Sequence, residues 1–102
     1  VVEILEAAAL EFEHSAVWYE ARAQGLGERF LDELRSVFAL IEQLPLDDSP
    51  WLLAGIPDGT RHVPLQTFPH SVVYVTVPRL VVVAVVHGSR EPRYWIDRLH
   101  EL

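Results

Sequence analysis

Apolar positions along the chain change period three times, and each change marks an element. Val1 to Leu5 is a short apolar run that predicts a first strand. From Glu6 to Gln24, Leu5, Ala9, Phe12, Ala16, Tyr19 and Ala23 recur at spacings of four and three, one face of a helix. Gly25-Leu26-Gly27 breaks that pattern, because glycine leaves a helix in left-handed geometry most readily. A second helix is expected from about Glu28 to Leu44, with Phe30, Leu34, Val37, Ile41 and Leu44 as its stripe and Pro45 as its stop. Two amphipathic helices joined by so short a turn fold as an antiparallel hairpin.

Asp47 to Gly59 reads as a loop by composition. Three β segments follow. Thr60 to Thr67 alternates but contains Pro64, which lacks a backbone donor and points to an edge strand or a bulge. Val72 to Val77 and Leu80 to Val86 are β-branched runs separated by Pro78-Arg79, which leaves room only for a tight turn. Beyond Gly88 the tail carries Pro92 and a final helical turn from Tyr94 to Leu102. The order β-α-α-β-β-β predicts an α+β domain in which the antiparallel helical hairpin packs on a small, mostly antiparallel sheet. The 102 residues make one domain, 1–102, without internal repeats or low-complexity segments.

Composition narrows the classes. Half of the residues are hydrophobic, ample for a core and outside the disordered range. There is no cysteine, which removes disulfides and thiolate metal sites. The five histidines (His14, His62, His70, His87 and His100) include no i, i+4 pair on a helix, so no metal and no cofactor is expected. The longest apolar run, Leu80 to Val86, is far short of the roughly twenty residues of a membrane span. The opening Val1-Val2-Glu3-Ile4 shows no signal-peptide pattern, and a soluble cytoplasmic protein with no membrane partner is expected.

Charge is uneven. Residues 1–58 hold twelve carboxylates against three arginines, a net of −9, whereas residues 59–102 hold three against five, a net of +2. There is no lysine. The total of −7 argues against a general nucleic-acid binder, while the second half can still meet an acidic partner. The acidic first half reads as a solvated helical surface.

Five landmarks in order are more specific. They are Val17-Trp18-Tyr19-Glu20; Gly25-Leu26-Gly27-Glu28-Arg29-Phe30; Arg61 at the second strand; Phe68-Pro69-His70 before Val73-Tyr74; and His87-Gly88-Ser89-Arg90-Glu91-Pro92-Arg93-Tyr94-Trp95. On these landmarks the chain resembles the RelE/ParE superfamily of toxins from type II toxin–antitoxin systems, closest to the ParE-like plasmid-stabilisation branch. The resemblance covers nearly the whole chain and implies a RelE/ParE-like fold and a toxin that inhibits a macromolecule such as DNA gyrase. It also implies neutralisation by a cognate antitoxin, in a possible hetero-oligomer with it. The antitoxin would lay an extended or helical segment in a groove beside the hairpin, to which Trp51-Leu52-Leu53 contributes unless it folds back on the core.

Each landmark also has a structural reading. Trp18 and Tyr19 are expected to pack on the sheet, Gly25 and Gly27 to make the turn, and Tyr74 to lie in the core with its hydroxyl on a partner. A phosphate cradle is rejected, since Phe30 stands where a third glycine is needed. Arg61, His87, Arg90, Tyr94 and Trp95 are the expected target-binding residues. His87 and Arg90 have an alternative role, tying the tail to the sheet.

Nucleolytic relatives cut messenger RNA on the ribosome, with strand-borne Lys and Arg, a cation after the last strand and a terminal Tyr. Aligning Tyr94 with that Tyr sets the second-strand cations near His62 and Pro64, the third-strand Arg at or beside Ser71, and the last cation near Gly88. Only Tyr94 remains, with Arg61, His87 and Arg90 as substitutes; a C-terminal His with an Arg does serve in other nucleolytic relatives. Catalytic residues are therefore unassigned, with Arg61, His87, Arg90 and Tyr94 the candidates if the chain is nucleolytic. The readings rank as a ParE-like toxin acting on gyrase, then a ribosome-dependent mRNA-cleaving toxin (an endoribonuclease), then a toxin fold that keeps antitoxin binding alone.

Overall fold

A computed structural model describes residues 2–43, 59–90 and 93–102. Its elements run β1 (Glu3–Ile4), α1 (Glu6–Arg22), α2 (Leu26–Gln43), β2 (Thr60–Pro64), β3 (His70–Val75), β4 (Val81–His87) and a short 3₁₀ helix, Ile96–Glu101. The expected order β-α-α-β-β-β is observed. The four strands form one sheet in the order β1-β4-β3-β2. Its β4–β3 and β3–β2 pairs are antiparallel, and only the two-residue β1 lies parallel to β4. Pro64 closes β2 at the sheet edge, where its missing donor is tolerated.

The hairpin is antiparallel: Phe12 meets Phe38 and Tyr19 meets Phe30, at ring separations of 6.0 and 5.2 Å. The turn is tighter than expected. Of the two turn glycines, Gly25 takes the left-handed conformation, at φ +84°, and α2 begins at Leu26. Gly27 lies within the helix, and a Cβ there would stand 2.5 Å from the Ala16 carbonyl oxygen, so glycine lets the helices touch. Glu20 fastens the junction by accepting the Gly25 and Gly27 backbone N–H groups at 2.8 and 3.0 Å.

Two apolar clusters sandwich the sheet. On the helical side, Phe30, Leu34, Val37 and Ile41 pack over Val72, Tyr74, Val82 and Val85. Each large side chain so buried contributes about 1.5–3 kcal/mol. Phe12 and Tyr19 are only partly buried against this cluster. The α1 stripe holds at Phe12, Ala16 and Tyr19 and departs at its ends, with Ala8 rather than Ala9 fully buried and Ala23 exposed. On the opposite side, Val73, Val75, Val81, Val83, Ala84 and Val86 are covered by the tail through Trp95, which is 0% exposed.

A bulge decides which valines face which layer. Val73 is opposite Ala84 and Tyr74 is opposite Val82, so Val83 is the extra residue of β4. Val83 and its neighbour Ala84 therefore both join the tail-side cluster, and Val85 returns to the helical side. Strict alternation along Leu80 to Val86 does not describe this strand.

Leu44, Pro45, the loop expected at residues 47–59 up to Asp58, and Trp51-Leu52-Leu53 lie outside the described residues, as do Glu91 and Pro92. Among the described residues, no helix is long and apolar enough to cross a membrane.

Candidate functional site

His70 opens β3 and His87 closes β4, and the two are register partners. His70 shares the helical face with Val72 and Tyr74, and the bulge returns His87 to that face after Val85. Their rings meet edge to face, 4.9 Å apart. Over them runs the second half of α1, where His14 and Trp18, and Ser15 and Tyr19, are i, i+4 pairs. Between helix and strand ends lies a cleft in two lobes. The outer lobe, about 300 Å³, is bounded by Ser15, Trp18, Tyr19, His70 and His87. The inner lobe, about 200 Å³, shares Ser15 and both strand histidines and adds Glu11, Arg90 and Tyr94.

The polar groups of this cleft have distinct states. His70 is buried, at 5% exposed, and its Nε2 lies 3.0 Å from the Tyr19 hydroxyl. Burial first, and the neighbouring His87 second, lower its pKa from 6.5 to about 4, so the ring is neutral near pH 7. Its Nδ1 is buried without a hydrogen-bond partner. The His87 Nδ1 accepts the Ser89 backbone N–H at 3.0 Å. A backbone N–H can only donate, so the neutral His87 ring carries its proton on Nε2.

Glu11 is the polar centre of the inner lobe. Its carboxylate accepts the Val85 N–H at 3.1 Å and the Tyr94 hydroxyl, and it holds Arg98 through two bonds of 3.0 and 2.9 Å. Arg98 also donates to the Val83 carbonyl at 2.9 Å. β1 ends at Ile4, so β4 has no strand neighbour on that side beyond Val82, and these side chains satisfy its open edge. Burial, then the bond to Glu11, drive the Tyr94 pKa well above that of an ordinary phenol.

The expected site residues separate in space. His87, Arg90 and Tyr94 come together at the cleft. Arg90 is exposed, and its guanidinium lies over the Tyr94 ring, 4.2 Å from the centroid. Arg98, not Arg90, ties the tail to the sheet. Arg61 stands apart: it is opposite Tyr74, four residues along β3 from His70, or about 13 Å. Trp95, expected to face the target, instead plugs the tail-side core. Trp18, expected to pack on the sheet, is 53% exposed and carries Arg22 on its ring at 3.9 Å. Its neighbour Tyr19 takes the inward position, against Phe30, Phe68 and His70.

Four cleft residues were not singled out for function from sequence: Glu11, His14, Ser15 and His70. One signal was available for Glu11, since it is three residues from Ala8 and four from Ser15 and so shares the inner face of α1. A carboxylate on that face needs partners, but the partners are 74 to 87 residues away.

Among the described residues, no group of three or more His, Asp or Glu could hold a metal ion. The side chains lining the cleft include three that carry donors: His87 through its Nε2–H, Arg90 and Ser15. Its one carboxylate among the described residues, Glu11, is engaged by the tail and by the Val85 N–H. A scan against protein-family models found no match to this chain, and a search of curated proteins found none either.

Proposed function

We propose that this chain is the toxin of a toxin–antitoxin pair, of the ParE-like kind that grips a protein target such as DNA gyrase and is silenced by a cognate antitoxin. The observation that carries the choice of a binding toxin over an RNA-cleaving one is the position of Tyr94. It is the one residue retained from the nuclease pattern, and its hydroxyl is committed to Glu11 with a raised pKa. A proton donor so held is poorly matched to general acid work near neutral pH. His87 is no better placed as a base, because its lone-pair nitrogen is occupied by Ser89. The helical hairpin on a mostly antiparallel sheet, and the landmarks from Trp18 to Trp95, support the same family reading. The exposed Arg90, in the half with net positive charge, supports a polar or acidic protein surface as the target.

Expression in cells lacking the antitoxin, with growth scored beside supercoiling by purified gyrase, tests this. Growth arrest with loss of supercoiling is the expected result. Cleavage of message on translating ribosomes, abolished in Tyr94→Phe or His87→Gln, would replace this reading with the RNA-cleaving one. Normal growth with tight antitoxin binding would leave only the antitoxin-binding reading.

A further inference from the structure

We infer that the two-lobed cleft between α1 and the His70 and His87 strand ends binds an anionic group carried on a flat aromatic body. This goes beyond the toxin reading and does not depend on which target the protein grips. The outer lobe supplies the aromatic half. Trp18 and Tyr19 meet edge to face at 5.2 Å, and the His70 and His87 rings form the facing wall, so a planar group meets ring faces and edges there.

The inner lobe supplies the anionic half. Arg90 has its guanidinium stacked on Tyr94, which fixes its direction without using its N–H donors. The His87 Nε2 carries a proton, because Ser89 fixes the tautomer. Ser15 adds a hydroxyl from the helix. Among the described residues the one carboxylate in the wall, Glu11, would repel an anion if it were free. It is instead neutralised by Arg98 and hydrogen-bonded by Tyr94 and Val85. A cation, an N–H donor and a hydroxyl line one small space in which no described residue leaves a free negative charge, which is the donor set of a carboxylate or phosphate site.

A second, independent observation is the His70 ring. It stands in the wall common to both lobes, is 95% buried by its 5% exposure, and keeps Nδ1 without a partner. Buried polar atoms are satisfied in nearly all folded proteins, so this ring keeps an unmet hydrogen bond behind the shared wall. The two lobes, about 300 and 200 Å³, have room for a ring with an anionic substituent and are far too small for a duplex or a peptide helix.

The test uses the intact protein and three small probes: benzoate, phenyl phosphate and benzamide. Histidine ring signals are followed by NMR during titration. The expected result is that His70 and His87 shift with benzoate or phenyl phosphate and not with benzamide. Whichever anion binds more tightly identifies carboxylate or phosphate as the natural group. Arg90→Gln, an exposed position, should weaken the anion by about tenfold, the loss of one charged hydrogen-bond set. Trp18→Ala, also exposed, should weaken benzoate or phenyl phosphate while leaving inorganic phosphate unchanged. The inference is overturned if neither anion shifts the two rings, if benzamide binds as well as benzoate, or if Arg90→Gln leaves affinity unaltered.

Discussion

Glu11 and Tyr94, 83 residues apart in the chain, share a short hydrogen bond that fastens the tail to the first helix. Arg98 completes the clasp, and its side chain and that of Glu11 are only 18% and 17% exposed. The clasp has three consequences. It closes the open edge of β4 beyond β1, and it holds the tail over the second apolar cluster. Through the stack on Tyr94, it also fixes where Arg90 points.

Replacing Glu11 with Ala should therefore cost far more than a surface carboxylate. Breaking a buried pair by removing one partner costs about 3–5 kcal/mol, and the residual exposure places this pair near the lower end. Urea unfolding of the variant should show a midpoint lowered accordingly, with increased exchange of the Val85 amide. A midpoint within about 0.5 kcal/mol of the parent protein, the usual range for surface changes, would show that the clasp is ornamental.

His70 makes stability depend on pH in the mildly acidic range. Its pKa falls from 6.5 in the unfolded chain to about 4 in the folded protein. Between those values the unfolded state binds more protons, so stability rises with pH across this window and is lost as pH falls towards 4. The loss attributable to His70 approaches about 3 kcal/mol at the acid end. His62, whose pKa burial also lowers, adds in the same direction. His70→Gln should flatten the profile of unfolding midpoint against pH between about 4.5 and 6.5, relative to the parent. A variant profile as steep as the parent's would remove His70 as the cause.

The legible parts of this fold are those set by local pattern. The α2 stripe Phe30, Leu34, Val37 and Ile41 is buried as its 3.6-residue period requires. Pro64 marks the sheet edge because it cannot donate. What was not legible depends on long-range geometry. Every residue from Val81 to Val86 is buried, so hydrophobicity cannot tell the two faces apart, and the bulge at Val83 shifts the alternation midway. Trp18 and Tyr19 are adjacent aromatics on one helix, and about 100° of rotation decides which turns inward. The inward one is the residue with a hydroxyl able to reach His70, a partner 51 residues away. Trp95 looked like part of an exposed tail because the sheet's second apolar face, which it covers, arises only from the topology.

The two clusters should contribute comparably to stability. Leu34, 1% exposed, lies on the helical side, and Trp95, 0% exposed, lies on the tail side. Leu34→Ala should cost about 2–5 kcal/mol and Trp95→Ala about 3–5 kcal/mol. The residues are in different clusters, on opposite faces of the sheet, so the double variant should lose nearly the sum. Denaturant midpoints of the three variants measure this. A near-normal midpoint for Trp95→Ala would mean that the tail is not part of the cooperative core and would return Trp95 to the surface.

Arg90 should behave in the opposite way, with little effect on folding and a large effect on target binding. Its guanidinium is exposed, and the contact visible in the folded protein is the stack on Tyr94 at 4.2 Å. A cation over an aromatic ring at an exposed site contributes about 0.5–1 kcal/mol. The tail itself is held by Arg98 and Glu11, which remain when Arg90 is shortened. Arg90→Ala should thus unfold within about 1 kcal/mol of the parent. On the toxin reading, the same change removes a positioned cation from the one region with net positive charge. An arginine at the centre of an interface costs about 2 kcal/mol or more on truncation. Growth arrest on induction should therefore be relieved, and the amount of protein needed to inhibit gyrase should rise by roughly thirtyfold, the equivalent of that loss. A stably folded Arg90→Ala protein that inhibits gyrase as well as the parent would place the target contact elsewhere on the molecule.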